Sequence, residues 1–121
     1  MGQLLAHSLE IPNHPKGMDD MKFLVKKFTK AVQKCLDVGE SGLEPYFLFG
    51  YHGKLHGMYG DYQISSNNDG FSSVGSGSDL ALGAMHVTKG MWNPEKRILN
   101  ALKAAEAGNA AVRAPFILLK K

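Results

Sequence analysis

The chain contains a single cysteine, Cys35, among its 121 residues. One cysteine can form no internal disulfide and cannot supply a four-cysteine metal site, and this composition suits a reducing compartment. No apolar run approaches the roughly 20 residues that a membrane-spanning helix needs. Residues 1–10 also lack the basic start and the long apolar core of a signal peptide, so we expect a cytoplasmic protein without a membrane partner.

Charge is also modest, with a formal net value of +3. This is too small to indicate a nucleic-acid partner. A set of five lysines falls mostly on the polar side of one predicted helix, at positions 22, 26, 27, 30 and 34. Such a pattern is more typical of a solvated helix face than of a nucleic-acid interface, so nucleic acid is an unlikely partner. The length predicts one domain, residues 1–121.

Helical periodicity dominates the first forty residues. Residues 1–9 predict a short helix, and residues 11–17 predict a loop because they contain two prolines and a glycine. A second helix starts at Asp19 or Asp20 and stops at Gly39. Its apolar residues recur on one face with the helical period. They are Phe23, Leu24, Phe28, Ala31, Val32, Cys35 and Leu36.

Extended patterns follow, and helices return near the end. Residues 46–51 and 54–59 predict a hairpin with His52-Gly53 as its turn, residues 62–65 predict a third strand, and residues 67–70 a turn. Residues 71–74 predict a short strand, residues 79–88 a helix, and Asn93-Pro94 the start of a helix that ends at Gly108. Residues 116–119 predict a last strand. This order favours an α+β fold, an antiparallel sheet with helices on one face.

The chain is organised around residues 71–85, which contain the turn Gly75, Ser76, Gly77, Ser78. Two glycines allow unusual backbone angles, and Ser78 or Asp79 can cap the helix that follows. The turn is either a tight strand-to-helix connection or an anion-binding nest of hydroxyl and N–H groups. It lacks the Gly-Lys-Ser/Thr of a P-loop and the Gly-x-Ser-x-Gly spacing of a nucleophile elbow.

The histidines suggest chemistry only weakly. His52 and His56 flank a turn, but no carboxylate or cysteine at ligand spacing completes a metal site. We therefore expect no metal and no cofactor. A triad can be written from Ser78, Asp79 and His86, as it can for almost any chain of this composition, so these three residues indicate nothing.

Residues 46–85 nevertheless resemble the middle of a proteasome β-subunit, or of its bacterial two-component relative, in the N-terminal nucleophile (Ntn) hydrolase family. The resemblance rests on an aromatic strand followed by Gly53, a second strand, and the Gly75-Ser76-Gly77 turn leading into a helix of small and apolar residues. The helix that starts at Asn93 and residues 112–116 extend the similarity more weakly. The two early helices match the family's order of elements, and the resemblance implies a partial αββα layer.

The resemblance also carries implications for chemistry. Family members are threonine-type peptidases or amidases whose N-terminal threonine, serine or cysteine uses its own α-amine as base. Nothing near Met1-Gly2 can be that nucleophile, and the family's early strands would lie upstream of Met1. Ser76 falls where the family has a serine near the nucleophile's amine. Asn109 falls nearest to a supporting aspartate, but its amide carries no charge.

The chain is thus expected to be a truncated, catalytically inactive relative that acts through assembly or partner binding. Without the missing strands, the sheet would expose an apolar face or edge, which invites a homo-oligomer or a partner chain to cover it. The alternative is a small α+β binding module or inhibitor unrelated to proteolysis.

Overall fold

The structure is a computed structural model that describes residues 2–39 and 44–121. It combines helices with a three-stranded antiparallel sheet, so the predicted α+β class is confirmed. The chain forms two compact units, Met1–Asn67 and Asn68–Lys121, which we call unit 1 and unit 2. Within the described residues, no helix combines the length and the apolar character that crossing a membrane requires.

The helices of unit 1 follow the sequence pattern, with one local departure. They are α1 (Gly2–Ser8), α2 (Asp20–Phe23), a π-helical segment (Leu24–Phe28) and α3 (Thr29–Gly39). Asp19 caps α2 by accepting a hydrogen bond from the Lys22 N–H at 3.2 Å, so the predicted helix start is confirmed. The π-helical segment was not predicted. It closes where both the backbone N–H and the hydroxyl of Thr29 donate to the Leu24 carbonyl, five residues back.

The sheet of unit 1 contains β1 (Phe47–Tyr51), β2 (Lys54–Met58) and β3 (Ile64–Asn67), in that order and antiparallel. The predicted His52-Gly53 turn is confirmed, because Tyr51 pairs with Lys54 across it. The third strand was predicted at residues 62–65 but begins two residues later. A tight turn delays it, since the Tyr62 N–H donates to the Tyr59 carbonyl at 2.7 Å and Tyr62 has a φ of 63°.

The core of unit 1 lies between the helices and one face of this sheet. Its buried members are Phe23, Leu24, Phe28, Val32, Leu36 and Met58. The sheet contributes alternate residues, among them Phe47, Phe49 and Ile64, which pack against this cluster. The five lysines on the other side of the long helix are exposed. The helical period of the sequence therefore identified the buried face correctly.

Unit 2 is a helical pair, α4 (Ser78–Val87) and α5 (Pro94–Gly108). Asn93 caps α5 by accepting from the Lys96 N–H at 3.1 Å, so the predicted Asn-Pro start is confirmed, as is the end at Gly108. The buried cluster consists of three alanines, Ala81, Ala101 and Ala105. Small residues thus allow the two helices to pack closely.

Two predicted strands of unit 2, residues 71–74 and 116–119, are wrong, because both segments are irregular. A strand needs a neighbour for its backbone N–H and C=O groups, and the three strands of the described chain all lie in unit 1. Phe71 is buried instead by side chains of its own unit. The guanidinium of Arg97 lies 4.8 Å from its ring centroid, and the His86 ring packs edge-on at 5.0 Å. Apolar alternation here reflected packing onto helices.

Candidate functional site

The Gly75–Ser78 turn begins α4, although not as predicted. Ser78 is the first residue of the helix and Gly77 is its N-cap, so the predicted capping by Ser78 or Asp79 is wrong. A glycine has no side chain to accept from the helix N–H groups. The turn is closed by the backbone instead, with the Ser78 N–H donating to the Gly75 carbonyl at 3.1 Å. Gly75 has a φ of 114°, which strongly favours glycine.

Gly77 is required by close packing within unit 2. A β-carbon at this position would lie 2.9 Å from Cγ2 of Val112 and 3.0 Å from Cβ of Ala105. Both distances are shorter than ordinary carbon contacts of about 3.5–4.0 Å. The neighbouring Ser76 is exposed. The turn is therefore a packing device that presents one serine on the surface.

The predicted supporting residues are not joined to one another. Asn109 is the C-cap of α5, and its amide oxygen accepts from the Ala111 N–H at 2.8 Å, so it is engaged in its own turn. In the described part of the chain, Ser76 forms no hydrogen bond with Asn109. Ser78 and His86 likewise form none, because His86 packs on Phe71.

The two histidines that flank the hairpin have different surroundings. His56 is 2% exposed and stacks on Phe49 with ring centroids 5.3 Å apart. Its Nδ1 lies 3.1 Å from the Ser66 hydroxyl, while its Nε2 is buried without a hydrogen-bond partner. His52 lies in the turn itself and contacts Asp20. They therefore do not form the two-histidine site that the sequence spacing suggested.

A different group of residues meets at this end of unit 1: His14, Asp20 and His52, which we call the His–Asp–His cluster. Nδ1 of His52 lies 3.0 Å from one carboxylate oxygen of Asp20, and Nε2 of His14 lies 3.9 Å from the other. One nitrogen or oxygen atom from each of the three residues lies within 4.8 Å of the others. Two imidazoles and a carboxylate thus converge on one point.

Three local structures place the cluster. The His14 side chain follows from the turn that begins at Pro15, whose carbonyl accepts from the Met18 N–H at 3.1 Å and which contains Gly17 at a φ of 81°. Asp20 is the first residue of α2. His52 has a φ of 48°, and Gly53 follows at 74°, as a type I′ hairpin turn requires.

Aromatic rings surround the cluster. The His14 ring stacks on Phe23 with centroids 4.5 Å apart, and Tyr51 stacks on His52 at 4.1 Å. His14 Nδ1 is hydrogen-bonded to the Tyr51 hydroxyl, and His14 Nε2 lies 2.7 Å from the Met18 carbonyl. Partial burial raises the pKa of Tyr51 above its ordinary value of 10.0, and the charge of Asp20 raises it further.

Tyr51 also lines an apolar cavity of about 370 Å³ between the helices and β1. The other lining residues come from α1, the loop after it, the long helix and β1. They are Leu5, Ala6, Leu9, Ile11, Phe23, Leu24, Phe28, Phe47, Phe49 and Gly50. A hydrogen-bonding residue at an otherwise apolar cavity is a common arrangement in small-molecule sites.

Sequence spacing gave no sign of the His–Asp–His cluster. Asp20 and His52 are 32 residues apart, and each lies in a different element. The expectation of no metal rested on ligands close together in the chain, whereas these residues meet only in the folded unit. Comparison with protein-family models, with curated proteins and with solved structures finds no match to this chain.

Proposed function

We propose that this chain is a truncated, catalytically inactive relative of proteasome β-subunits that acts by assembling with another chain, either a second copy or a partner. The proposal is supported by the Gly75-Ser76-Gly77 turn leading into α4, by α5 starting at Asn93-Pro94, and by the hairpin β1–β2 that precedes them. In the Ntn family, to which the sequence is similar, these parts belong to a larger layered fold that completes itself with further strands.

The observation that carries the assembly proposal is the exposed apolar surface of unit 2. Its buried cluster consists of three alanines, whereas Val87 is 84% exposed, Trp92 93% and Leu119 93%. Burying each such side chain fully contributes about 1.5–3 kcal/mol. Apolar groups of this size, gathered in a unit with so small a core, are typical of a surface that another chain covers.

Catalytic inactivity is supported by the surroundings of the family-equivalent residues. Asn109 is uncharged and its amide oxygen is occupied by the Ala111 N–H. Ser76 is exposed, with no histidine or carboxylate hydrogen-bonded to it among the described residues. A serine without an adjacent base is a weak nucleophile. A peptidase or amidase assay on the chain alone should therefore show no turnover, and turnover abolished by Ser76→Ala would contradict this.

Light scattering coupled to size-exclusion chromatography tests the assembly. Because association follows mass action, we expect the mass to rise with concentration to at least twice the 13.2 kDa of the chain. Trp92→Glu should lower the mass toward that of a monomer, since a buried charge opposes association. Val25→Glu is the matched control, because Val25 is an exposed apolar residue of unit 1. A monomer at every concentration would contradict self-assembly, and failure also to bind a co-purified partner through Trp92 would contradict the proposal.

The apolar cavity of unit 1 favours a second function, a small α+β module that binds an apolar small molecule. Its volume of about 370 Å³ lies within the range of ligand pockets. An apolar fluorescent probe should bind the protein, and Ala6→Phe should weaken binding by filling the cavity. Ala107→Phe, on the exposed surface of α5, is the control. Equal binding by the two variants would contradict this function.

A further inference from the structure

The geometry points to a divalent transition-metal site in unit 1, for which we propose His14 Nε2, His52 Nδ1 and one carboxylate oxygen of Asp20 as ligands. Two imidazoles with one carboxylate are a known ligand set for ions of the Zn²⁺, Co²⁺ and Fe²⁺ class. This site is independent of the assembly surface of unit 2.

The distances fit a first-row ion after a small adjustment. Ligand bonds of about 2.0–2.2 Å in tetrahedral geometry place donor atoms about 3.3 Å apart. The His52 Nδ1 to Asp20 distance is 3.0 Å, and the His14 Nε2 to Asp20 distance is 3.9 Å. The His14 and His52 rings are stacked with centroids 5.5 Å apart, so both already face the carboxylate. Only His14 must move closer.

The hydrogen bonds without metal define what binding changes. A carbonyl oxygen only accepts, so His14 Nε2 carries a proton and donates to the Met18 carbonyl at 2.7 Å. Neutral His14 then accepts from the Tyr51 hydroxyl through Nδ1. When a metal binds Nε2, the single ring proton moves to Nδ1, which donates to the Tyr51 oxygen. His52 likewise releases its Nδ1 from Asp20 to the metal and carries its ring proton on Nε2.

The Tyr51 contact is the second-shell partner that metal-bound histidines usually have. Such a ligand donates its other ring N–H to a neighbouring oxygen, which fixes the ring's orientation. The stack of His14 on Phe23 holds the same ring from its face. His14 is therefore positioned before any metal arrives, which reduces the entropy that binding must overcome.

The carboxylate and the solvent exposure of the cluster also favour a cation. Asp19 already caps α2, so Asp20 has no capping role to fulfil and its oxygens face the two histidines. The side chain of His52 is 57% exposed and that of Asp20 is 37% exposed. An ion can thus enter from solvent, and water can complete its coordination, as in three-ligand zinc sites.

Backbone strain at His52 is a further sign of a specific role. A histidine at positive φ is uncommon, and in a type I′ turn asparagine or glycine meets the requirement more easily. Strained residues concentrate at functional sites. The strained position is the one that brings an imidazole to Asp20, an interaction for which asparagine offers no equivalent metal ligand.

Titration of the full-length protein with Co²⁺ tests the site. We expect one Co²⁺ per chain, with visible absorption of four- or five-coordinate cobalt that Zn²⁺ displaces. His52→Asn keeps a residue that tolerates positive φ and should abolish the absorption. Asp20→Asn should do the same. Tyr51→Phe should weaken binding by about 10- to 100-fold, the usual effect of losing a second-shell partner.

The controls are His7→Ala and His86→Ala, which remove exposed histidines outside the cluster and should leave binding unchanged. Far-UV circular dichroism establishes that each variant is folded. Absence of cobalt absorption in the unaltered protein would overturn the proposal. Absorption that survives in folded His52→Asn and Asp20→Asn would overturn it as well.

Discussion

The close approach of α4 and α5 at Gly77 can be tested by adding one methyl group. Gly77→Ala places a β-carbon 2.9 Å from Val112 Cγ2 and 3.0 Å from Ala105 Cβ. Ala105 is 3% exposed and belongs to α5, so relief requires the two helices to separate by several tenths of an ångström. Overpacking of this kind costs about 1–3 kcal/mol. The lower conformational entropy of unfolded alanine offsets about 0.4–1 kcal/mol of this cost.

A second glycine of the same helix provides the matched control. Gly83 lies inside α4, and a β-carbon there would meet no atom of another segment within 4 Å. Gly83→Ala should therefore stabilise unit 2 by about 0.5–1 kcal/mol through helix propensity. Urea unfolding followed by circular dichroism at the helix band measures both free energies. If Gly77→Ala proves as stable as Gly83→Ala, the turn is not the packing device that we describe.

Two further predictions concern unit 1. His56→Leu should raise the free energy of unfolding by about 1 kcal/mol, because it removes a buried Nε2 that has no partner. Exposed His7→Leu is the control, and a destabilised His56→Leu protein would show that Nε2 is satisfied. Because the pKa of Tyr51 is higher in the folded state than in the unfolded chain, its contribution is present below pH 10 and is lost as the pH rises through the folded value. Thermal unfolding at increasing alkaline pH should show this loss in the unaltered protein and a smaller loss in Tyr51→Phe; equal loss in both would refute it.

The long helix of unit 1 shows what the sequence could predict. Its buried residues recur with the helical period, and Asp19 and Gly39 mark its ends with ordinary signals. The π-helical segment inside it could not be predicted, since it depends on Thr29 reaching a carbonyl five residues back. Local patterns therefore determine the element, while one side-chain contact changes its internal geometry.

The strand predicted at residues 71–74 failed for a different reason. Alternating apolar residues indicate which side chains become buried, but they do not indicate which element buries them. Phe71 is buried by Arg97 and His86, both on helices, and no strand of unit 2 is available to pair with its backbone. A short apolar segment needs a known neighbour before it can be assigned as a strand.

The His–Asp–His cluster was beyond sequence reasoning because its residues come from a loop, a helix start and a hairpin turn. Each local structure was predictable: residues 11–17 as a loop, Asp20 near a helix start, and His52-Gly53 as a turn. What spacing cannot supply is the packing of the long helix on β1, where Phe28 contacts Phe49 at 4.9 Å and Phe23 contacts Tyr51 at 5.5 Å. These aromatic contacts align the helix start with the hairpin turn and so bring the three residues together.

The same contacts separate a structural role for the cluster from a functional one. The long helix and β1 are already fixed by the buried aromatic residues, so the mostly exposed contact between His52 and Asp20 adds little to their packing. An exposed ion pair contributes only about 0–1 kcal/mol. A histidine at positive φ, retained for so small a contribution, is better explained by its nitrogen than by its effect on stability. The fold therefore supplies the rigid framework, and His14, Asp20 and His52 supply ligands that the framework does not itself need.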